Sequence, residues 1–304
     1  MNKDKILPFL CLCFSLISFS QTAPQTHPPE FVKQGQQLIR DGKPQEALDL
    51  YRQQLQTLPN SFSALTAAGN VLDLMGKGEE ARKEFAKAIT TADSSEHKAA
   101  AQRAMAISWA FEANCGKAIE YEQQVFNFYA DAKNFFQQGE IADEAARICL
   151  DSGDLGNAEK WYALGHKTGL KEPDIKPERQ DLWNFRWEHA QARIAACRGD
   201  NAAAQKHIAA ARALLDKGNI PQQAVFFPYL EGYVAFYAGD YKTAIEKFNK
   251  ANQDDPFIQC MLGETYEKLG EKENAMDYYL KATTASSHNP AAAYAVPFAK
   301  KKLE

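Results

Sequence analysis

The sequence lacks the short motifs that mark the commonest enzyme classes. It contains no GxxxxGK[ST] loop for phosphate, no HExxH helix for zinc and no GxSxG turn for a nucleophilic serine. The six histidines are scattered through the chain, and none of the six cysteines belongs to a CxxC pair. We therefore expect no catalysis, and neither a metal nor a cofactor.

Basic blocks are also missing from the sequence. The chain carries 35 Lys and Arg residues against 39 Asp and Glu residues, which gives a formal net charge of −4. Proteins that bind nucleic acids gain most of their non-specific affinity from basic residues that neutralise phosphates. A mildly acidic chain without such a block argues against a nucleic-acid partner.

Long apolar runs are absent after the first twenty residues. Residues 1–20 contain Lys3 and Lys5, then an apolar run, then Ser18 and Ser20 at the positions that favour cleavage after Ser20. The run is short for a membrane span, so we expect a secretory signal, with an uncleaved anchor as the alternative. The mature chain would then be exported, to a bacterial periplasm or the cell exterior, and would have no membrane span.

Four cysteines remain after this cleavage. An oxidising compartment permits one or two disulfides among them. The alternative is that they are small buried side chains in helix interfaces. Sequence does not show which pairs lie within a bridging distance of about 6 Å, so both interpretations stay open. The four residues are Cys115, Cys149, Cys197 and Cys260.

The sequence is rich, in contrast, in a repeated spacing of glycine, alanine and an aromatic residue. The stretch GDYKTAIEKFNKANQDDP begins at Gly239, with Ala244 five residues later and Phe248 four residues after that. The spacing recurs along the chain, in two copies with Glu122 or Ile208 at the aromatic position. Successive alanines are 31 to 46 residues apart, which defines seven units. The seven alanines are Ala47, Ala81, Ala118, Ala158, Ala204, Ala244 and Ala275.

Each unit also has a small residue twelve positions before its alanine. Small side chains at both positions let two antiparallel helices approach closely. We expect the aromatic residue to fill the groove toward the next unit, and a glycine turn to join the two helices. The small residues are Gly35, Gly69, Ala106, Ala146, Ala192, Gly232 and Gly263.

This pattern resembles the tetratricopeptide repeat, a helix-turn-helix unit of about 34 residues. The resemblance covers residues 28–290 and is weakest in units three to five. It implies an all-α, right-handed α-solenoid of about seven helix-turn-helix repeats with a C-terminal capping helix. A generic helical bundle is the alternative, and the seven recurrences argue against it.

The predicted organisation starts with the signal peptide over 1–20 and a disordered lead over 21–29. Repeats one to four follow over 30–170. Residues 171–182 include two prolines and several charges, and we expect them to form a connector that resists helix formation. Repeats five to seven occupy 183–289, and a helix over 290–304 caps the exposed face of the last repeat.

In tetratricopeptide-repeat proteins the first helices of successive units line a concave groove that commonly holds peptides. By the same phase, unit six would supply five aromatic residues to an anchor pocket, although we expect two or three of them to pack against units five and seven as core. Units three to five would supply basic residues for a partner's carboxylates, or ordinary surface charges partly neutralised by Glu140 and Asp143. The candidate residues are Arg103, Arg147, Arg186, His189, Arg193, Phe226, Tyr229, Tyr233, Phe236 and Tyr237.

Three functions fit these observations. The first, which we favour, is a non-catalytic exported scaffold that binds a protein or peptide partner in the groove. The second is an accessory envelope protein whose unit-six aromatic residues stack on a glycan. The third is a structural subunit of an envelope complex that uses the convex face. Nothing in the sequence indicates an oligomeric state.

Overall fold

A computed structural model describes residues 28–304, which form fifteen α-helices and one 3₁₀-helix and, over that range, no β-strand. The predicted signal peptide and most of the predicted lead lie outside the described residues. The α-helices are α1 Glu30–Arg40, α2 Pro44–Thr57, α3 Phe62–Leu74, α4 Gly78–Thr90, α5 Ser95–Ala110, α6 Cys115–Asp131, α7 Phe135–Asp151, α8 Leu155–Gly169, α9 Pro177–Cys197, α10 Asn201–Asp216, α11 Phe227–Tyr237, α12 Tyr241–Phe248, α13 Pro256–Lys268, α14 Lys272–Ala282 and α15 Pro290–Leu303.

The helices pair in chain order into seven units, from α1 with α2 to α13 with α14. The two helices of each pair pack together, and each second helix also packs on the first helix of the next unit. Contacts that run from unit to unit in this way define a solenoid. The predicted all-α solenoid is therefore confirmed. Within residues 28–304, no helix has both the length and the apolar composition of a membrane span.

Glycines of four first helices make room for the aromatic ring of their own unit. A β-carbon at Gly232 would lie 2.7 Å from the Phe248 ring, and one at Gly263 would lie 2.6 Å from the Tyr279 ring. Both rings are buried. The missing β-carbon lets the ring lie across its own first helix, so the aromatic side chain also packs within its own unit. Gly35 with Tyr51 and Gly69 with Phe85 repeat this contact.

The turn within each unit uses a residue with positive φ. In six units this residue is a glycine, for example Gly76 with φ of 84° and Gly239 with φ of 79°. Unit three has Ala113 there, with φ of 53°. A β-carbon strains this conformation, whereas glycine adopts it freely. Unit three therefore departs from the repeat at its turn as well as at Glu122.

Helix α9 begins inside the predicted connector, at Pro177. Proline is well tolerated in the first turn of a helix, where its missing N–H would have no partner in any case. The expectation that this whole stretch resists helix formation is therefore wrong for residues from 177 onward. Trp183 of α9 is fully buried against Gly139 and Gly169 of unit four, so packing continues from unit four into unit five.

Helix α15 packs on the last unit and also on much earlier ones. It contacts α13 and α14 and, in addition, α3, α5 and α7, which are the first helices of units two, three and four. Ala292, Ala293 and Val296 of α15 are buried in one core cluster with Ala106 and Ile107 of α5. The helix predicted to cap the last repeat thus also joins that repeat to the early part of the chain.

Polar contacts tie this C-terminal region to the end of α3. The Nε2 atom of His288 lies 2.8 Å from Oδ2 of Asp73, and both side chains are almost completely buried. Ser108 donates a hydrogen bond of 2.9 Å to the other Asp73 oxygen. Lys300 donates a hydrogen bond of 2.9 Å to the backbone carbonyl of Leu74. Burial raises the pKa of the Asp73 carboxyl, and the contacts with His288 and Ser108 oppose that rise.

The close approach at Gly232 predicts the effect of a single methyl group. Gly232→Ala should lower the free energy of unfolding by about 1–3 kcal/mol, because the methyl group overlaps the Phe248 ring in a packed core. Urea denaturation followed by circular dichroism measures this change. The matched control is Gly116→Ala, where the nearest atom to the new β-carbon is the Asn114 side-chain oxygen at 3.7 Å. Equal effects of the two substitutions would contradict the packing described here.

Candidate partner-binding groove

The residues predicted to form an aromatic anchor pocket are mostly packed in the interior. Tyr229 and Tyr233 are buried, and Phe236 is half-buried against Tyr237 and Tyr241. In unit six, the candidates that remain largely exposed are Phe226 and Tyr237, at 51% and 43%. Tyr229 and Tyr233 are therefore core residues, in line with the expectation that two or three of the five aromatic residues pack in the core.

The cause of this burial is Phe257 of α13. Tyr229 packs edge-on against the Phe257 ring, and Tyr233 stacks on it. Arg147 of α7 lies over the same ring, 4.4 Å from its centre, and Tyr294 of α15 contacts it with ring centres 4.9 Å apart. These contacts join unit four to unit seven and to α15. The interior of the solenoid is thus filled at this level by its own side chains.

The two arginines predicted to hold a partner's carboxylate at this level have partners inside the protein. The Nε atom of Arg147 donates to Asp151 at 2.6 Å. Arg193 is buried and donates to the hydroxyl of Tyr162 at 2.7 Å and to that of Tyr229 at 3.5 Å. The guanidinium of Arg193 is thus occupied by internal contacts, whereas Arg147 is paired through its Nε atom and keeps 23% of its side-chain surface exposed.

His189 does not provide a positive charge at neutral pH. Burial, with Arg193 and Arg147 nearby, lowers its pKa well below the usual range, and its Nε2 atom has no hydrogen-bond partner among residues 28–304. The imidazole lies beside the backbone of Phe226, which opposes this lowering of the pKa.

A group of paired charges lies on α5, α7 and α9, none of them beyond the middle turn of its helix, and Arg103 is its most exposed member. Arg103 donates two hydrogen bonds of 2.6 Å to Glu144. Arg186 pairs with Glu140 and lies 3.9 Å from Asp143. We call this group the charged floor, and its members are Arg103, Glu140, Asp143, Glu144 and Arg186. It lies apart from the cavity that α15 forms with the carboxyl-terminal ends of α5 and α7.

Two carboxyl groups at the charged floor have raised pKa values. Burial is the largest cause at Asp143 and raises its pKa to about 7, although Arg186 acts in the opposite direction. Burial likewise raises the pKa of Glu122, which is fully buried in α6 beside Glu144 and Arg103. The sequence marked Glu122 as an exception to the aromatic pattern, but its place under the charged floor was missed.

The rim of the charged floor carries an exposed apolar segment. Val225 and Phe226 end the 3₁₀-helix Pro221–Phe226, which precedes α11, and both are more than half exposed. The Phe226 backbone lies beside His189 of α9, one turn beyond Arg186. The accessible surface thus combines paired charges of both signs with one aromatic side chain.

One disulfide joins the two units that carry most of the charged floor. Cys115 at the start of α6 is bonded to Cys149 near the end of α7, while Cys197 and Cys260 are free. Both interpretations left open by the sequence therefore apply, each to a different pair. Within the described part of the chain, no three His, Cys, Asp or Glu side chains are arranged to hold a metal ion.

The fold defines a solenoid scaffold of helix-turn-helix repeats, and the comparisons agree. Residues 258–289, which form most of unit seven, match the family model described as tetratricopeptide repeat. This chain therefore contains a tetratricopeptide repeat within a solenoid of the same architecture. The sequence matches no curated protein.

Solved structures show the same architecture at low sequence identity. One is a putative kinesin light chain from Podosopora anserina with nearly identical TPR-like repeats, 18% identical, with a TM-score of 0.51 over 64% of this chain and 98% of that chain. Another is a tetratricopeptide repeat protein from Parabacteroides merdae, 12% identical, with a TM-score of 0.50 over 89% of this chain and 98% of that chain. These similarities concern the fold.

The raised pKa of Asp143 predicts how stability changes with pH. A carboxyl whose pKa is raised from 3.8 to about 7 holds a proton in the folded state that the unfolded state releases. Its contribution to the free energy of unfolding is therefore full below pH 4 and is lost as the pH rises to about 7. Asp143→Asn should remove this dependence, so that the wild type loses stability relative to the variant between pH 5 and pH 8.

Urea denaturation at a series of pH values tests this prediction. The control is Asp277→Asn at an exposed position of α14. Its free energy of unfolding should change with pH as that of the wild type does. If the free energy of unfolding changes with pH in the same way for the wild type and Asp143→Asn, the pKa of Asp143 is not raised by folding.

Proposed function

We propose that this protein is a non-catalytic, exported scaffold that binds a protein or peptide partner on the charged floor. The tetratricopeptide-repeat fold suggests protein interaction in general. The observation that carries the finer proposal is that Arg103, Glu140 and Arg186 of the charged floor remain partly exposed, whereas Tyr229 and Tyr233 are covered by Phe257 of α13. Arg103 in particular keeps 51% of its side-chain surface exposed.

The chemistry of the charged floor fits an extended peptide that carries charges of both signs. The Nε and Nη2 atoms of Arg103 are bound to Glu144, which leaves Nη1 to donate to a partner's carboxylate. Glu140 presents an acceptor to a basic side chain or a backbone N–H. Exposed ion pairs contribute little to affinity and more to the choice and orientation of a partner. Phe226 on the rim offers the apolar contact that concentrates binding energy at an interface.

Two observations support export. The N-terminal sequence has the pattern of a secretory signal. The disulfide between Cys115 and Cys149 is of a kind that persists in oxidising compartments. We infer a periplasmic or extracellular location in a bacterium.

The alternative of glycan binding has less support, because only Phe226 and Tyr237 of its five aromatic residues stay largely exposed. It required a stacking platform in unit six, and Tyr229 and Tyr233 are occupied by contacts with Phe257. No observation favours the convex face as the site of assembly.

Charge reversal on the charged floor tests this proposal. Arg103→Glu should reduce capture of the partner from the native cell envelope about tenfold or more, a loss that corresponds to about 1.4 kcal/mol. The reason is that Glu144 would then face a second carboxylate, and the partner's acidic group would lose its donor. Capture is measured by affinity purification with quantitative mass spectrometry.

The matched control is Arg52→Glu on α2, a second helix. Arg52 is similarly exposed and also pairs with a glutamate, Glu80 at 3.1 Å. Circular dichroism shows whether each variant keeps its helices. If Arg103→Glu and Arg52→Glu capture the same proteins in the same amounts as the wild type, the charged floor is not the binding surface.

A further inference from the structure

The contact between α15 and units three and four leaves a cavity of about 420 Å³. Phe111 at the end of α5 and Ile148 of α7 form one wall, and Tyr294 and Phe298 of α15 form the other. Sites for small molecules typically measure about 300–1,000 Å³ and are mostly apolar with few polar groups. We call this space the seam cavity. It has the size and the walls of such a site, and it lies apart from the charged floor.

Polar groups of the seam cavity are few, and two of them are acceptors. Asp151 lines the cavity, but its charge is offset by Arg147 at 2.6 Å. Pro297, which lies inside α15, has no N–H, so the carbonyl of Ala293 loses its usual helical donor. Both Ala293 and Pro297 line the cavity. The walls are therefore apolar with two weakly accessible acceptors.

A lysine without a partner stands at the edge of the same cavity. Lys301 lines it, is exposed, and forms no ion pair or hydrogen bond with residues 28–304. Its neighbours differ, because Lys300 donates to the Leu74 carbonyl and Lys302 pairs with Glu267 at 2.8 Å. An ammonium beside an apolar cavity is complementary to an anionic group on an apolar body.

We propose that the seam cavity binds a small amphipathic carboxylate, with its apolar body between α15 and the ends of α5 and α7 and its carboxylate on Lys301. An amine would place its positive charge beside Lys301, and a neutral alcohol would leave the ammonium without a counter-ion. Because the walls belong to the last helix and to units three and four, a bound ligand stabilises the contact between them. The midpoint of thermal unfolding therefore rises with ligand concentration, as it does for any ligand selective for the folded state.

Three ten-carbon probes of different charge test the site by isothermal titration calorimetry. Decanoate should bind the full-length protein saturably with one site per chain, and decanol should bind about tenfold more weakly. Decylamine should bind more weakly still. Lys301→Gln should weaken decanoate binding about tenfold and leave decanol binding unchanged. The matched control is Lys272→Gln, at an exposed position of α14, which should bind decanoate as the wild type does.

A second variant tests the cavity itself. Ala110 lines the seam cavity, and Ala110→Leu should fill part of it and abolish binding of both decanoate and decanol. Lys301 is on the surface, so Lys301→Gln remains informative if Ala110→Leu does not fold. The proposal is overturned if decanoate does not bind saturably, if decylamine binds as tightly as decanoate, or if Lys301→Gln binds decanoate with wild-type affinity.

Discussion

The packing of α15 against the first helices of units two to four determines which surfaces of this protein are accessible. Units of a solenoid normally contact only their neighbours, so the interior of the superhelix stays open for a ligand. Here α15 lies across that interior, and Phe257 beneath it meets both Tyr229 and Arg147. The concave face is thereby divided into a filled part, a seam cavity and the charged floor.

Filling the interior places charged side chains in apolar surroundings, and each needs a local partner. Arg147 has Asp151, and Arg193 has the hydroxyls of Tyr162 and Tyr229. Buried pairs of this kind contribute little net stability, because desolvation offsets the attraction between the charges. Breaking one is costly all the same. These contacts therefore hold units four to seven in one arrangement, beside which the charged floor can present a fixed pattern of charges.

The sequence predicts the repeat well because the repeat depends on local spacing. A glycine such as Gly232 and an aromatic such as Phe248 belong to the same helix pair, so a fixed offset reveals their contact. The contact of the C-terminal segment with units two to four has no such signature. Its residues His288 and Asp73 are 215 positions apart and belong to no shared pattern. The burial of Tyr229 against Phe257 of unit seven is, in contrast, a contact between neighbouring units, and the sequence predicts such core packing for two or three of the five aromatic residues.

The energetic coupling between Asp73 and His288 tests most directly whether the C-terminal segment packs on the early repeats. Their side chains are in contact only if the C-terminal segment reaches α3. The double-mutant cycle of Asp73→Ala and His288→Ala measures the interaction free energy of this contact. The closed solenoid predicts a coupling of about 1–3 kcal/mol in the free energy of unfolding, whereas independent sites add within about 0.5 kcal/mol. Additive effects of the two substitutions would contradict the account, because the last helix would then lie away from the early repeats.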